Sequence, residues 1–292
     1  MADAAKPYRV RTMTADSGRV QSGEQAQRAE RFLDLHRTRR PLLMPNPWDV
    51  GSARLFASLG FEALATTSSG FAATLGRLDG SVTRDEALAH SAAIAAATAL
   101  PVSADLENGF GDSPDEVAAT AAGAVAAGLS GFSIEDYSGN ESDTIYEISL
   151  AAERIAAAAE VAHQGSAHVV LTARSENLIR GHDDLDDTIA RLRAFQDAGA
   201  DVLFAPGLTS AEQIQAVLAA VDRPVNVLVR PGAPTIAELG ALGVSRISVG
   251  GSFAFAAIAA VADAATELRD EGTYGYASAA GQGIKAARQA FQ

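Results

Sequence analysis

Eight times along this chain a short, mostly apolar run is followed by a longer Ala-rich stretch of helical period, and this alternation narrows the possible folds more than any other feature. The short runs lie at 42–46, 63–67, 102–105, 132–135, 169–173, 202–205, 225–229 and 246–249. Runs of this length and composition read as parallel strands buried on both faces. Four of the intervening segments open with capping-box pairs, Thr83/Glu86, Ser113/Glu116, Ser210/Gln213 and Thr235/Glu238, the second with Pro114 at the first helical position. Gly60, Gly128, Gly199 and Gly243 stand where a helix must end and turn back into the sheet. Eight strand–helix units in series predict a closed (β/α)8 TIM-type barrel. An open dinucleotide-binding sheet is not expected, because Asn46-Pro47-Trp48-Asp49 follows the first strand where a Gly-x-Gly-x-x-Gly turn would be needed.

The 292 residues suit one such domain, with 48 % apolar residues to fill it. The expected organisation is a loosely ordered polar leader over 1–23, then a single barrel domain over 24–292 with a C-terminal helical extension. That domain opens with a polar helix near 24–38. It closes with an Ala-rich helix at 252–269, a flexible stretch containing Gly272, Gly275, Gly281 and Gly283, and a last helix near 284–291. No run resembles a membrane span, and the leader has no apolar core of a secretory signal, so a cytoplasmic protein is expected. Twenty-three Lys and Arg against 36 Asp and Glu give a formal charge of −13, which argues against a nucleic-acid partner. The absence of cysteine excludes disulfides, thiolate metal sites and a cysteine nucleophile.

Barrel enzymes work at the C-terminal ends of their strands. There the third strand runs into Asp105-Leu106-Glu107, the fourth ends at Glu135-Asp136, the fifth at Arg174-Ser175-Glu176 and the seventh passes through Asn226. Asp105 and Glu107 are two apart, so on an extended chain both point to one side. With Glu135 on the next strand they make three carboxylates at one mouth, which repel one another unless a cation or proton intervenes. Oxygen donors without His or Cys select a hard ion, Mg²⁺ before Zn²⁺. The alternative for each carboxylate is solvation or a helix cap. Arg174 offers a planar fork for an anionic ligand, or else a salt bridge to Glu135 or Glu176. Ser69-Gly70 is a small-residue turn whose N–H groups suit a second anion. Of the five histidines, His36 and His90 read as surface or packing residues. His163 and His168 fall at the barrel bottom, and His182 follows the fifth strand near the mouth. Trp48 reads as packing at the rim.

With these residues in view the chain resembles the isocitrate lyase/phosphoenolpyruvate mutase superfamily over about 31–265. The resemblance rests on Asn46-x-Trp48-Asp49, Ser69-Gly70-Phe71, Gly76-x-x-Asp79-Gly80, Asp105-x-Glu107-x-Gly109-Phe110-Gly111, Ile134-Glu135-Asp136 and Thr172-Ala173-Arg174. It implies a Mg²⁺ ion (Mn²⁺ as substitute) held by Asp105, Glu107 and Glu135, with Asp79 close by. It further implies a small oxo-acid bound by Ser69, Gly70, Phe71 and Arg174, with Asn226 as a further substrate contact, and catalytic roles for Arg174, Asp79 and Glu135. Family members swap their last helix between neighbours, which implies a homodimer or homotetramer. The lyase branch carries a Cys-containing loop after the Ile-Glu-Asp strand. Here 137–144 reads Tyr-Ser-Gly-Asn-Glu-Ser-Asp-Thr, with no Cys, Lys or His, and Asn140 stands where the mutase branch has an Asn.

The function expected on these grounds is Mg²⁺-dependent C–C cleavage or decarboxylation of a small 2-oxo or 2-hydroxy di- or tricarboxylate through a metal-stabilised enolate. Two alternatives stand beside it: a phosphoenolpyruvate or phosphonopyruvate mutase or hydrolase, which would want basic residues near the phosphoryl group, and a non-catalytic binding barrel.

Overall fold

The computed structural model describes residues 15–139 and 144–292, with side chains from residue 23 onward. Its strands are β1 (Leu42–Met44), β2 (Leu64–Ala65), β3 (Val102–Asp105), β4 (Gly131–Glu135), β5 (Val170–Arg174), β6 (Val202–Phe204), β7 (Val225–Leu228) and β8 (Arg246–Ser248). They pair in parallel in the order β1-β8-β7-β6-β5-β4-β3-β2. β1 stops two residues short of the expected end because Pro45 has no N–H to donate to a ladder. The seam between β1 and β2 is closed instead by Ala65 N–H donating to Pro45 C=O at 3.2 Å and by the Asn46 amide donating to Thr66 C=O at 3.0 Å.

Helix α1 (Ala15–Leu35) precedes the barrel, and α2 (Val50–Ser58), α3 (Ser68–Thr74), α4 (Arg84–Ala96), α5 (Pro114–Ala126), α6 (Ile148–Ala162), α7 (Leu185–Asp197), α8 (Ala211–Ala220) and α9 (Ile236–Leu242) surround it. All four predicted capping boxes form, at Thr83, Ser113, Ser210 and Thr235, each pairing two otherwise orphaned N–H groups. A fifth, Asp49 with Ser52, opens α2. Gly243 closes α9 at φ 99°, a conformation that a side chain would strain.

Helix α1 seals the N-terminal end of the barrel. Its Phe32 packs with Leu42, Met44, Ala63, Val170 and Val202, so close to Gly131 that a Cβ there would sit 2.7 Å from the ring. Thus α1 starts well before the expected polar helix, at Ala15, while residues 1–14 of the expected leader lie outside the described residues. Towards the mouth the interior is not the apolar plug that the strand composition suggests. Ser103, Ser133, Asn226, Arg246 and Ser248 point into a cavity that runs down the barrel axis.

After β8 the chain forms α10 (Ser252–Asp270) and α11 (Ala277–Ala290). The expected flexible stretch is shorter than its glycines suggest, since Gly281 and Gly283 lie within α11, which packs back on α2. Helix α10 buries only Ala254 and leaves Phe253, Phe255, Ile258, Val261 and Leu268 exposed. Among the described residues, no helix is long and apolar enough to cross a membrane.

Candidate active site

Two adjoining cavities open at the C-terminal rim and share Ser68, Asp79 and Arg174 in their walls. The axial cavity holds Ser69, Asp105, Asn226 and Arg246, and the lateral one holds Glu107, Glu135, Tyr137 and Arg180. Arg174 closes β5 and stands between them. Its Nη1 donates to Asp105 Oδ1 at 2.9 Å, and its Nη2 lies 3.0 Å from Glu135 Oε2 and 2.7 Å from Glu176 Oε1. Arg180 reaches Glu176 Oε2 at 3.1 Å while its guanidinium lies 3.6 Å above the Tyr137 ring. The salt bridges weighed for Arg174 therefore both form, and they tie the ends of β3, β4 and β5 together.

Asp105 and Glu107 reach the site by a different route from plain strand alternation. β3 ends at Asp105, Leu106 turns into the core, and Glu107 takes a left-handed conformation with φ 48°. Such a backbone is costly for a non-glycine residue and persists where its surroundings hold it. Here Glu107 C=O accepts from Glu135 N–H at 2.9 Å. The buried Arg154 of α6 donates to the carbonyls of Asn108, Gly111 and Asp112, fixing the loop beyond. Asp136, next to Glu135, points away from the cavity. Its carboxylate accepts from Glu176 N–H at 2.7 Å and pairs with Arg191 at 3.3 Å, so it positions the rim without lining it.

Five carboxyl groups, Asp79, Asp105, Glu107, Glu135 and Glu176, thus meet three guanidiniums, those of Arg174, Arg180 and Arg246, an excess of two acids if all ionise. Burial, reinforced by Asp105 and Asp79, pushes the Glu107 carboxyl up to about 8. Burial also raises Glu135 well above the usual carboxylate range, against the pull of Arg174. The donor set is all oxygen and under-neutralised, which fits a hard divalent cation. In this arrangement the oxygens of Asp105 and Glu135 face Arg174, and the three carboxylates are not drawn into one tight cluster.

The remaining predicted residues divide. Ser69 and Asn226 line the axial cavity, but the Asn226 amide is engaged by Ser248 at 3.0 Å and by Arg246 at 2.9 Å. Ser69-Gly70-Phe71 is the first turn of α3, not a free turn. Gly70 N–H points at Thr67 Oγ1, Phe71 N–H makes the first helical bond to Thr67 C=O, and the Phe71 ring stacks on His90 at 3.8 Å. Gly70 and Phe71 are absent from the cavity wall. His182 bonds to Thr144 at 3.0 Å, and Asn140 lies outside the described residues.

Sequence reasoning passed over Arg246. It is buried in the barrel and bonded only to neutral groups, Asn226, Thr172 and His36. Burial and the nearby Arg174 charge lower its pKa to about 9. An arginine opening a strand otherwise built for burial was the signal available.

A (β/α)8 barrel with a polar axial cavity and an acidic, arginine-bridged rim at its C-terminal end defines the chain as a barrel of the enzyme class. The chain belongs to the phosphoenolpyruvate phosphomutase family, whose model matches residues 32–269, and so to the isocitrate lyase/phosphoenolpyruvate mutase superfamily. An uncharacterised protein of Mycobacterium tuberculosis is 37 % identical over 241 residues, 82 % of this chain and 89 % of its own length. An oxaloacetate decarboxylase of Bradyrhizobium sp. (strain ORS 278) is 30 % identical over 234 residues, 76 % of this chain and 78 % of its own. A crystal structure from Burkholderia cenocepacia J2315, assigned by class as a lyase/mutase, is 51 % identical with a TM-score of 0.88, covering 91 % of this chain and 96 % of that one.

Proposed function

We propose that this enzyme cleaves a C–C bond, by lysis or decarboxylation, in a small 2-oxo or 2-hydroxy di- or tricarboxylate, with Mg²⁺ (or Mn²⁺) held at the rim. The observation that carries the reading is the under-neutralised oxygen set of Asp105, Glu107 and Glu135 around Arg174. The relationship to an oxaloacetate decarboxylase supports it. A bound divalent cation would supply charge neutralisation for an oxyanion developing on the 2-oxygen of the substrate. Asp105, Glu107 and Glu135 would hold it, with Asp79 beside them.

The protein's own groups do the rest. Arg174 would receive a substrate carboxylate on the Nη1 and Nη2 donors that Asp105 and Glu135 occupy here, so a bound cation and the acid would reinforce each other. Arg246 adds a second positive charge at the cavity floor, where no carboxylate offsets it. The test is a Mg²⁺-supplemented screen of oxo- and hydroxy-acids and phosphonates, monitored for pyruvate and CO₂. Release of either product from a di- or tricarboxylate, abolished by Asp105→Asn, is the expected result; turnover of phosphonates alone would replace this reading.

A mutase or phosphonate hydrolase remains the second reading because of one observation. The loop at 137–144 brings no basic residue, but Arg180 of the following strand end reaches over Tyr137 into the lateral cavity and supplies one.

The exposed apolar face of α10 supports assembly into a homo-oligomer in which that helix packs on a neighbouring subunit.

A further inference from the structure

The N-terminal end of the barrel carries a second polar cluster, at the opposite end from the carboxylate rim. His163 caps the end of α6 and His168 precedes β5. Val169 N–H donates to Ala162 C=O at 2.9 Å, closing the loop between them and setting the two side chains next to each other. Their imidazoles stack with centroids 4.0 Å apart and planes 11° from parallel. Both Nε2 atoms face one carboxylate: His163 lies 3.0 Å from Asp201 Oδ2 and His168 2.8 Å from Asp201 Oδ1. Asp201 itself is clamped to β5. Its Oδ2 accepts from Leu171 N–H at 2.9 Å, and its own N–H donates to Leu171 C=O at 2.9 Å.

Two stacked imidazoles cannot both carry charge without repelling, and one carboxylate compensates only one of them. What the trio does satisfy is the requirement of a metal. One ligand atom from each residue lies within 4.8 Å of the others, and among the described residues this is the one group of three that meets that condition. Two imidazole nitrogens and one carboxylate oxygen suit a borderline first-row ion, not a hard one. The histidine side chains are 27 % and 42 % exposed and Asp201 is 9 % exposed, so an ion can enter from solvent and keep a water ligand.

We propose that His163, His168 and Asp201 form a site for a transition-metal dication such as Zn²⁺, separate from the rim and tying the α6–β5 loop to the α7–β6 loop. On binding, each ring presents its Nε2 lone pair and keeps its proton on Nδ1, so a neutral ring changes tautomer and a charged ring releases one proton. Because the site lies at the far end from the rim, its effect is on stability.

The test uses the untagged full chain with Zn²⁺ alone as probe, in isothermal titration and thermal unfolding. One Zn²⁺ per chain and a rise in unfolding temperature are expected. His168→Gln and Asp201→Asn should each weaken binding by at least about tenfold, while Asp105→Asn should leave it intact and Mg²⁺ should not compete. The proposal is overturned if the wild type binds no Zn²⁺ at micromolar concentration. It is equally overturned if a His163→Gln/His168→Gln variant with native circular dichroism still binds it, or if Asp105→Asn abolishes it.

Discussion

Arg174 Nη1 and Asp105 Oδ1 lie 2.9 Å apart, so the expected anion receptor and an expected metal ligand occupy each other. A cation that claims Asp105 frees one face of the guanidinium, and an acid on Arg174 frees the carboxylate. The two ligands should therefore bind with positive coupling.

That coupling is measurable with oxalate, a flat dianion that resembles a pyruvate enolate. In thermal-shift titrations Mg²⁺ and oxalate together should raise the unfolding temperature by more than the sum of their separate effects. Asp105→Asn should erase the excess. Its full retention would sink the metal–enolate reading.

Arg174→Lys should leave Mg²⁺ binding in place and weaken oxalate by about tenfold or more, because one ammonium cannot serve Asp105, Glu135 and Glu176 together or present a fork to the acid. Equal oxalate affinity in the variant would remove Arg174 from substrate binding.

Glu107 behaves differently from its neighbours, because it makes no ion pair among the described residues and its carboxyl is raised to about 8. A group whose folded pKa is raised gives stability that is present below its unfolded value near 4.5 and lost as pH climbs through 8. Glu107→Gln should thus stabilise the metal-free protein at about pH 8 by roughly 1–2 kcal/mol, with little effect at about pH 5. Asp105→Asn, which strips the Nη1 partner from Arg174, should destabilise it. Denaturant titrations at the two pH values separate these outcomes.

His36 gives the opposite slope. Its Nδ1 faces Phe32 C=O at 2.7 Å and its Nε2 faces Arg246 Nη1 at 3.3 Å, which calls for a neutral ring with the proton on Nδ1. Burial, then the Arg246 charge, lowers its pKa to about 3. Its folded pKa lies below the unfolded 6.5, so its contribution is complete above 6.5 and drains away as pH falls towards 3. His36→Gln should lose stability less steeply than wild type over that window, and parallel curves would exclude the assignment.

Val261→Glu, at an exposed apolar position of α10, should convert the proposed oligomer to monomer in light scattering without changing the circular dichroism. A monomeric wild type at micromolar concentration would end the assembly proposal.

The barrel was legible in the sequence because its determinants are local. Strand runs, the caps at Thr83, Ser113, Ser210 and Thr235, and Gly243 each act within a few residues; the caps and Gly243 form as read, and all eight strands form, β1 and β2 ending earlier than their runs. The rim carboxylates were legible too, since a barrel places strand ends at one mouth whatever else it does. What local pattern could not decide was how those groups share one another. Strand alternation placed Asp105 and Glu107 together, but the left-handed turn at Glu107 depends on its bond to Glu135 and on Arg154 from a helix 46 residues beyond Asn108. The same limit hid Arg246 beneath the cavity and the meeting of His163, His168 and Asp201. These juxtapositions exist only once distant segments pack, because Coulomb and hydrogen-bond energies depend on distances through space, which the spacing along the chain does not set.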